Sequence, residues 1–478
     1  MRRNVYSTLG TQWVSAAMAI VASVLVARMM QPDELGVFTV TMAMSAILGT
    51  FQLAGTSEYL VYAKSIDREA RRSVYGLTIL QTAAVCAVLL LGRPLWIWMY
   101  GNEGVADVAA VMAVQMALYT PFEPINSMLN RQERFDLISL VMIARNGSLS
   151  ILQVLFVWLG WSYMGLAYAE LASGIISCIA FLAVGRRYFL WRPSFRGMGE
   201  ILGFSGKLVG ANVLNMINSN VTPMLIGVLA GLGQSALFGR ANMISRIYSQ
   251  MVSRAIDPLL NARIAADNRQ GVGPVRTLTI SSRMLLTLSV AFFGFIALTA
   301  DLIVPLIFGK QWIAAAAPMR ALACGFVVWP LTSPTSAMVL AASRPGLLLR
   351  IRAINMAVRA IAVVTLAHWG LTAIAVGLAV SSYISLAQAL DAARRVAGLD
   401  IGQYLLGLRR SLVAALVPLA ITAMALLALE ASGATDWRLL IGTGLVMAVA
   451  QGVSLILFQH PLWQEICHVG GKLRPRRA

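Results

Sequence analysis

Long runs of apolar residues, separated by short polar gaps, dominate the sequence from Leu9 to Leu457. A helix of about 20 apolar residues crosses the hydrocarbon core of a bilayer. The pattern therefore predicts an all-α polytopic membrane protein with about 14 transmembrane helices. The predicted spans are 8–29, 36–56, 74–92, 105–125, 138–159, 162–184, 207–231, 234–257, 284–307, 315–341, 348–368, 371–392, 411–430 and 439–458.

The chain also repeats itself. Residues 28–41 resemble residues 228–241, so that Phe38 aligns with Phe238. We interpret this as two six-helix lobes followed by an extra pair of helices. Lobes with an even number of helices share one orientation, and such parallel repeats are typical of transporters whose central cavity opens alternately to each side. The predicted units are an N-terminal lobe at 1–195, a C-terminal lobe at 196–396, and the extra transmembrane pair with a basic cytoplasmic tail at 397–478.

Composition agrees with a membrane protein, because 58% of the residues are hydrophobic, only 12% are charged, and mean hydropathy is +0.74. The net charge of +18 is distributed by position: 28 of the 38 lysines and arginines fall in alternate gaps between the spans, and only four fall in the intervening gaps. This positive-inside pattern predicts that both termini lie in the cytoplasm. A nucleic-acid-binding domain would instead collect the charge on one folded face.

Apart from the residues at span edges that are counted with the gaps, six arginines lie within the predicted spans. Because each costs about 2.5–3.5 kcal/mol at the bilayer centre, it must face a cavity or a partner, or extend to the interface. Arg254 and Arg320 are close to span ends, whereas Arg246 and Arg359 lie nearest the midplane and are expected to face a cavity. For Arg145 and Arg240, a cavity-facing role and a structural role stay equally open. The six are Arg145, Arg240, Arg246, Arg254, Arg320 and Arg359.

Two adjacent predicted helices carry polar stripes at helical spacing. Such stripes line a wet cavity or hydrogen-bond packed helices to one another. A surface of Arg, Asn and Ser suits an anionic, hydroxyl-rich substrate, since guanidinium binds phosphate in a bidentate fork. One stripe is Asn212, Asn215, Ser219 and Thr222, and the other is Asn242, Arg246, Ser249, Ser253 and Asp257. The candidate substrate-binding residues are Arg246, Arg359, Arg145, Arg240, Asn212, Asn215, Asn242 and Ser249.

Glu123 stands between two prolines in the stretch Pro121-Phe122-Glu123-Pro124, where the prolines bend the helix and free backbone carbonyls. It is a candidate for a coupling proton, or alternatively the partner of an arginine. The sequence shows no hydrolytic, redox, phosphate-loop or metal-binding motif. We therefore expect a transporter rather than an enzyme, with no catalytic residues, no metal site and no cofactor.

Four stretches of the sequence resemble those of the polysaccharide transporter (oligosaccharide flippase) family of the multidrug/oligosaccharidyl-lipid/polysaccharide export superfamily. The motif residues are Arg28, Pro32, Gly36 and Phe38 in the first stretch and Gly309 and Trp312 in the last. Where the family often has an acid in helix 7, this chain has Asn220-Val221-Thr222, so we do not expect an acidic ion site there. The stretches are 26–38 (VARMMQPDELGVF), 129–135 (LNRQERF), 226–241 and 308–322 (FGKQWIAAAAPMRAL).

The resemblance implies a flippase for undecaprenyl-diphosphate-linked oligosaccharides that supplies exopolysaccharide, lipopolysaccharide O-antigen or capsule. Expected partners are the lipid-linked oligosaccharide, membrane lipids, and polysaccharide polymerase and co-polymerase proteins, with no nucleic acid. Alternatives are a cation-coupled multidrug exporter of the same superfamily and a peptidoglycan lipid-precursor flippase. A membrane-embedded glycosyltransferase or polymerase would belong to a different class and would need catalytic acids.

Overall fold

A computed structural model describes most of the chain, and the described regular structure is entirely helical. The described ranges are residues 2–53, 55–63, 66–119, 122–186, 192–249, 252, 260, 263–264, 275–342, 344–432 and 435–458. Within these ranges, the side chains of residues 2–13, 204–209, 211–212, 215, 337, 340–341 and 345 are not described.

The chain divides into two compact units, Met1–Ala236 and Leu237–Ala478. Eleven described helices begin in the first unit: α1 (Arg2–Met29), α2 (Pro32–Gln52), α3 (Thr56–Tyr62), α4 (Arg68–Leu91), α5 (Arg93–Tyr100), α6 (Glu103–Tyr119), α7 (Glu123–Arg131), α8 (Phe135–Trp158), α9 (Ser162–Gly185), α10 (Met198–Leu229) and α11 (Leu232–Tyr248). Those in the second are α12 (Val275–Phe308), α13 (Ala316–Phe326), α14 (Thr332–Ala341), α15 (Pro345–Leu366), α16 (Leu371–Ala397), α17 (Ile401–Ala431) and α18 (Asp436–Leu457), with 3₁₀ turns at Lys310–Ala315, Trp329–Leu331 and Ala367–Trp369.

Within the described residues, each predicted span coincides with a helix or with a broken succession of helices, while residues 250–251 and 253–257 of the span predicted at 234–257 lie outside them. Among the described residues, nine helices are long and apolar enough to cross a membrane, and the pair α6 and α7, bent by 48°, makes a tenth. The predicted all-helical membrane fold is confirmed. The span predicted at 315–341 is broken into two short helices and two 3₁₀ turns, because prolines at 318, 330 and 334 interrupt backbone hydrogen bonding there.

The first unit packs α8 against α1 and α9, and α6 against α2, α4 and α9. Its main core joins small and aromatic side chains of α2, α4, α5, α6 and α9, with Val40 and Val108 fully buried. The second unit is built in the same manner, with α12 packed on α13 and α17, and α16 packed on α13 and α15. The pair α17 and α18 also packs within this unit.

Local sequence explains how the helices begin and end at the family motifs. Pro32 starts α2, where a helix needs no backbone donor, and the Glu34 carboxylate accepts the backbone amide of Gln31 at 3.0 Å. Gly36 then packs directly on the backbone carbonyl of Leu232 at the start of α11, where a Cβ would clash. The helices that begin at residues 32 and 232 lie at the offset of 200 seen in the sequence.

Candidate functional site

Arg145, a candidate from the sequence, belongs to a buried acid–base cluster in the first unit. Its Nη2 donates to the Glu170 carboxylate on α9 at 3.3 Å, and Glu170 is only 7% exposed. Its guanidinium carbon also lies 5.8 Å from the centre of the Tyr119 ring. The Arg145 charge is thus compensated within one unit by an acid and a ring, as a partly buried charge requires.

Glu123 lies on the other side of Tyr119 in the same cluster. Its Oε1 accepts a hydrogen bond from Asn126 Nδ2 at 2.8 Å, and a second side-chain hydrogen bond joins it to Tyr119. It also lies within electrostatic range of Arg145. The bend between α6 and α7 places Tyr119 at the end of one helix and Glu123 at the start of the next, so both face Arg145.

Arg240 occupies a different kind of site, in the second unit. Its side chain is only 7% exposed, and its guanidinium carbon lies 5.5 Å from the centre of the Phe308 ring and 5.2 Å from that of Trp312. Trp312 is itself fully buried, in the 3₁₀ turn that follows Gly309, whose φ of 108° favours glycine. These contacts favour a structural role for Arg240, and they explain the two motif residues at 309 and 312.

Arg246 lies six residues further along α11 and is exposed. No hydrogen bond or ion pair joins its side chain to the described part of the chain, whereas Arg240 is close enough to repel it electrostatically. On the same helix, Asn242 Oδ1 accepts a hydrogen bond from Ser245 Oγ at 2.9 Å. Ser249 is partly buried at the end of the described segment. Among the described members of this polar stripe, Arg246 is therefore the charged residue without a described counter-ion.

Arg359, like Arg246, is a candidate binding residue without a counter-ion in the described ranges. It is partly buried in α15, which coincides with the span predicted at 348–368, and its side chain has no hydrogen bond or ion pair with a described residue. Asn355, one turn before it, has a buried Oδ1 that lacks a described hydrogen-bond partner. Arg352 lies a further three residues back, so the spacing puts all three on one face of α15.

Arg320, by contrast, is satisfied near the start of α13. Its guanidinium binds the Asp301 carboxylate, and its Nε donates to the carbonyl oxygen of Ala297 at 3.2 Å. It also lines a groove of about 640 Å³ whose other walls are mostly apolar side chains of α12, α13, α16 and α17. These contacts favour a structural role for Arg320.

Several residues singled out from the sequence lie outside the described part of the structure. The side chains of Asn212 and Asn215 are not described, although the backbone there belongs to α10. Ser253, Arg254 and Asp257 also fall outside the described residues. Their predicted places in the polar stripes stay predictions.

Sequence reasoning did not single out two members of these sites. Tyr119 ends an apolar helix, and nothing in its neighbours distinguishes it from a membrane-interface aromatic residue. Asn355 had a usable signal, because it follows Arg352 by three residues and precedes Arg359 by four, which is the spacing of one helical face.

Comparison with proteins of known structure relates the fold to lipid and drug transporters. The chain is similar to a structure described as lipid II flippase MurJ, in an inward closed conformation. The TM-score is 0.76 and the identity 13%, and the match covers 97% of this chain and 100% of that one. It is also similar to an inward-facing multidrug resistance MATE family transporter of the MOP superfamily, with a TM-score of 0.65, 16% identity, and 80% and 94% coverage. At these identities the likeness shows the fold.

Two curated relatives match at the sequence level. The succinoglycan biosynthesis transport protein ExoT of Rhizobium meliloti is 22% identical over 316 residues, which span 65% of this chain and 63% of that protein. The lipopolysaccharide biosynthesis protein WzxC of Escherichia coli is 19% identical over 358 residues, 70% of each chain. A protein family described as Polysaccharide biosynthesis protein matches residues 25–317, which is more than half of the sequence. With its helical membrane fold and the motifs that shape it, the chain belongs to this family of polysaccharide biosynthesis proteins.

Proposed function

We propose that the chain is a flippase that moves undecaprenyl-diphosphate-linked oligosaccharides across the bacterial inner membrane. The observation that carries this proposal is the face of α15 formed by Arg352, Asn355 and Arg359. Within it, the Arg359 charge lacks a counter-ion and the Asn355 Oδ1 lacks a donor among the described residues. An unpaired arginine in a membrane-spanning helix is retained where it contacts a substrate or its pathway.

The chemistry of this face fits a phosphate group next to sugar. A guanidinium presents parallel donors that match two phosphate oxygens, while an amide accepts and donates hydrogen bonds to hydroxyl groups. Arg246 supplies a second unpaired cation on α11. The lipid tail of such a substrate stays in the bilayer, so that only the charged head group needs a polar path.

The relatives support the same class of substrate. One is named for succinoglycan transport and the other for lipopolysaccharide biosynthesis, and each of these products is a polysaccharide. We propose that this chain serves exopolysaccharide, O-antigen or capsule synthesis, with both termini in the cytoplasm as the distribution of positive charge predicts. Polysaccharide polymerase and co-polymerase proteins are its proposed partners.

The test replaces Arg359 with alanine. Loss of a hydrogen-bonded charged contact costs about 1.5–3 kcal/mol, which corresponds to roughly 10- to 150-fold weaker binding. We expect purified Arg359→Ala protein to bind undecaprenyl diphosphate more weakly by that factor. We also expect cells that rely on this variant to lose surface polysaccharide while the protein keeps its normal level in the membrane.

Arg395→Ala is the matched control. Arg395 pairs with Asp391 at 2.9 Å, and both side chains are more than half exposed near the end of α16, so its loss should leave binding and export unchanged. Export and binding at the wild-type level in the Arg359 variant would contradict the proposal. A deletion strain separates the rival functions, since a multidrug exporter predicts increased drug susceptibility and a peptidoglycan-precursor flippase predicts lethality.

A further inference from the structure

The acid–base cluster in the first unit carries an unbalanced charge. Glu123 and Glu170 face a single cation, Arg145, and the described neighbours that complete the cluster are neutral. Arg145 makes its ion pair with Glu170, while Glu123 has hydrogen bonds to Tyr119 and Asn126. Two ionised carboxylates beside one guanidinium would leave a net negative charge inside a membrane-spanning bundle, which is unfavourable unless one carboxyl takes up a proton.

A second observation at the same place points to an exchangeable ligand. Glu123 lines a narrow crevice, too small to hold a water molecule, together with hydroxyl residues of three helices: Thr56 and Ser57 on α3, Thr78 on α4, and Ser127 on α7. The Thr78 side chain is 1% exposed, and its hydroxyl has no hydrogen-bond partner among the described residues. A buried unpaired hydroxyl beside a carboxyl group is suited to pass a proton to or from it.

The remaining titratable groups around Glu123 come from the helices that pack on α7. They are Tyr119 on α6, Arg145 on α8 and Glu170 on α9. Cys178, also on α9, interacts electrostatically with Tyr119. Helix α3, which packs on α7, additionally carries Glu58 and Tyr59.

We propose that Glu123, Arg145 and Glu170 form a proton-binding site that holds one exchangeable proton, located on Glu123 in this conformation. When the Glu123 O–H bond breaks, the proton is transferred along the hydroxyl groups of the crevice to solvent, and Glu123 becomes a second anion that competes with Glu170 for Arg145. Because the three residues stand on α7, α8 and α9, this competition changes the contacts between those helices. The site goes beyond the proposed function, and its use to drive transport rests on that function.

Charge counting gives the test, because the number of protons in the cluster equals its acids minus its arginines. Infrared difference spectroscopy on purified full-length protein at pH 7, without substrate, measures the carbonyl stretch of protonated carboxyl groups. Glu123→Gln should lose one such group relative to wild type. Glu170→Gln should also lose one, since Arg145 then pairs with Glu123. Arg145→Gln should gain one, because both acids then need a proton.

Asp107→Asn is the control, because Asp107 is an acid of the same unit that lies outside the cluster, in an exposed ion pair with Arg93 at 2.7 Å. Its spectrum should show no change in protonated carboxyl groups. Unchanged intensity in Glu123→Gln, or a missing gain in Arg145→Gln, would overturn the proposal, provided that circular dichroism shows a folded variant. If Glu170→Gln keeps the Glu123 band, Arg145 is not the shared counter-ion and the proposal fails.

These spectra are recorded without a substrate, so they are independent of the proposed transport activity. A proton site with normal infrared behaviour in a protein that moves no oligosaccharide would refute the flippase function alone. Export by a protein whose spectra show no such proton would refute the proton site alone.

Discussion

Substitution of Trp312 measures how much its contact with Arg240 stabilises the second unit. The buried Arg240 guanidinium lies over two rings, at 5.2 Å from the centre of Trp312 and 5.5 Å from that of Phe308. Trp312→Phe keeps an aromatic face below the guanidinium, whereas Trp312→Leu removes it, and both shorten the side chain. A desolvated cation–π contact contributes about 1–2 kcal/mol. We therefore expect the leucine variant to be less stable than the phenylalanine variant by that amount.

The assay is reversible unfolding of the purified protein in mixed detergent micelles. Unfolding is monitored by far-ultraviolet circular dichroism rather than by tryptophan fluorescence, because the substitution removes a tryptophan. Combining each variant with Arg240→Met in a double-mutant cycle isolates the coupling to the guanidinium, which we expect to be about 1 kcal/mol or more for Trp312→Leu. Trp369→Leu is the control, because Trp369 is 74% exposed and makes no such contact in the described structure. Equal stability of the two Trp312 variants, with negligible coupling, would refute the stacking argument.

Two further predictions follow from close contacts in the first unit. Gly36→Ala should destabilise the protein, because its Cβ would clash with the Leu232 carbonyl. The control Gly199→Ala places its Cβ in open space and should be neutral or stabilising by up to about 1 kcal/mol. Thermal unfolding in detergent measures both variants, and a Gly36 variant as stable as the wild type would contradict the packing. Asp107→Asn should lower the free energy of unfolding by less than about 1 kcal/mol, and by less still at high salt, because the ion pair of Asp107 with Arg93 is exposed. A larger, salt-independent loss of stability in the same assay would contradict this reasoning.

The membrane architecture was largely predictable from the sequence, because lipid imposes a simple rule. Backbone groups in hydrocarbon must be hydrogen-bonded within the segment, so a long apolar run becomes a helix whatever its neighbours are. Helix boundaries at the motifs were predicted less closely: the second span was placed at 36–56, whereas α2 begins at Pro32, because proline fits a first helical turn. The family assignment made from these motifs is confirmed by the match over residues 25–317.

The contacts of the arginines in the predicted spans were decided by tertiary structure. Arg145 and Arg240 looked equivalent in sequence, as single cations in apolar helices. The fold brings Glu170 to the first and the rings of Phe308 and Trp312 to the second, while it leaves Arg359 without a counter-ion in the described ranges. Helical periodicity determines which residues share a face, but the partner of that face comes from a distant segment. Which charges are satisfied, and which stay available for a ligand or a proton, therefore depends on packing that no local pattern encodes.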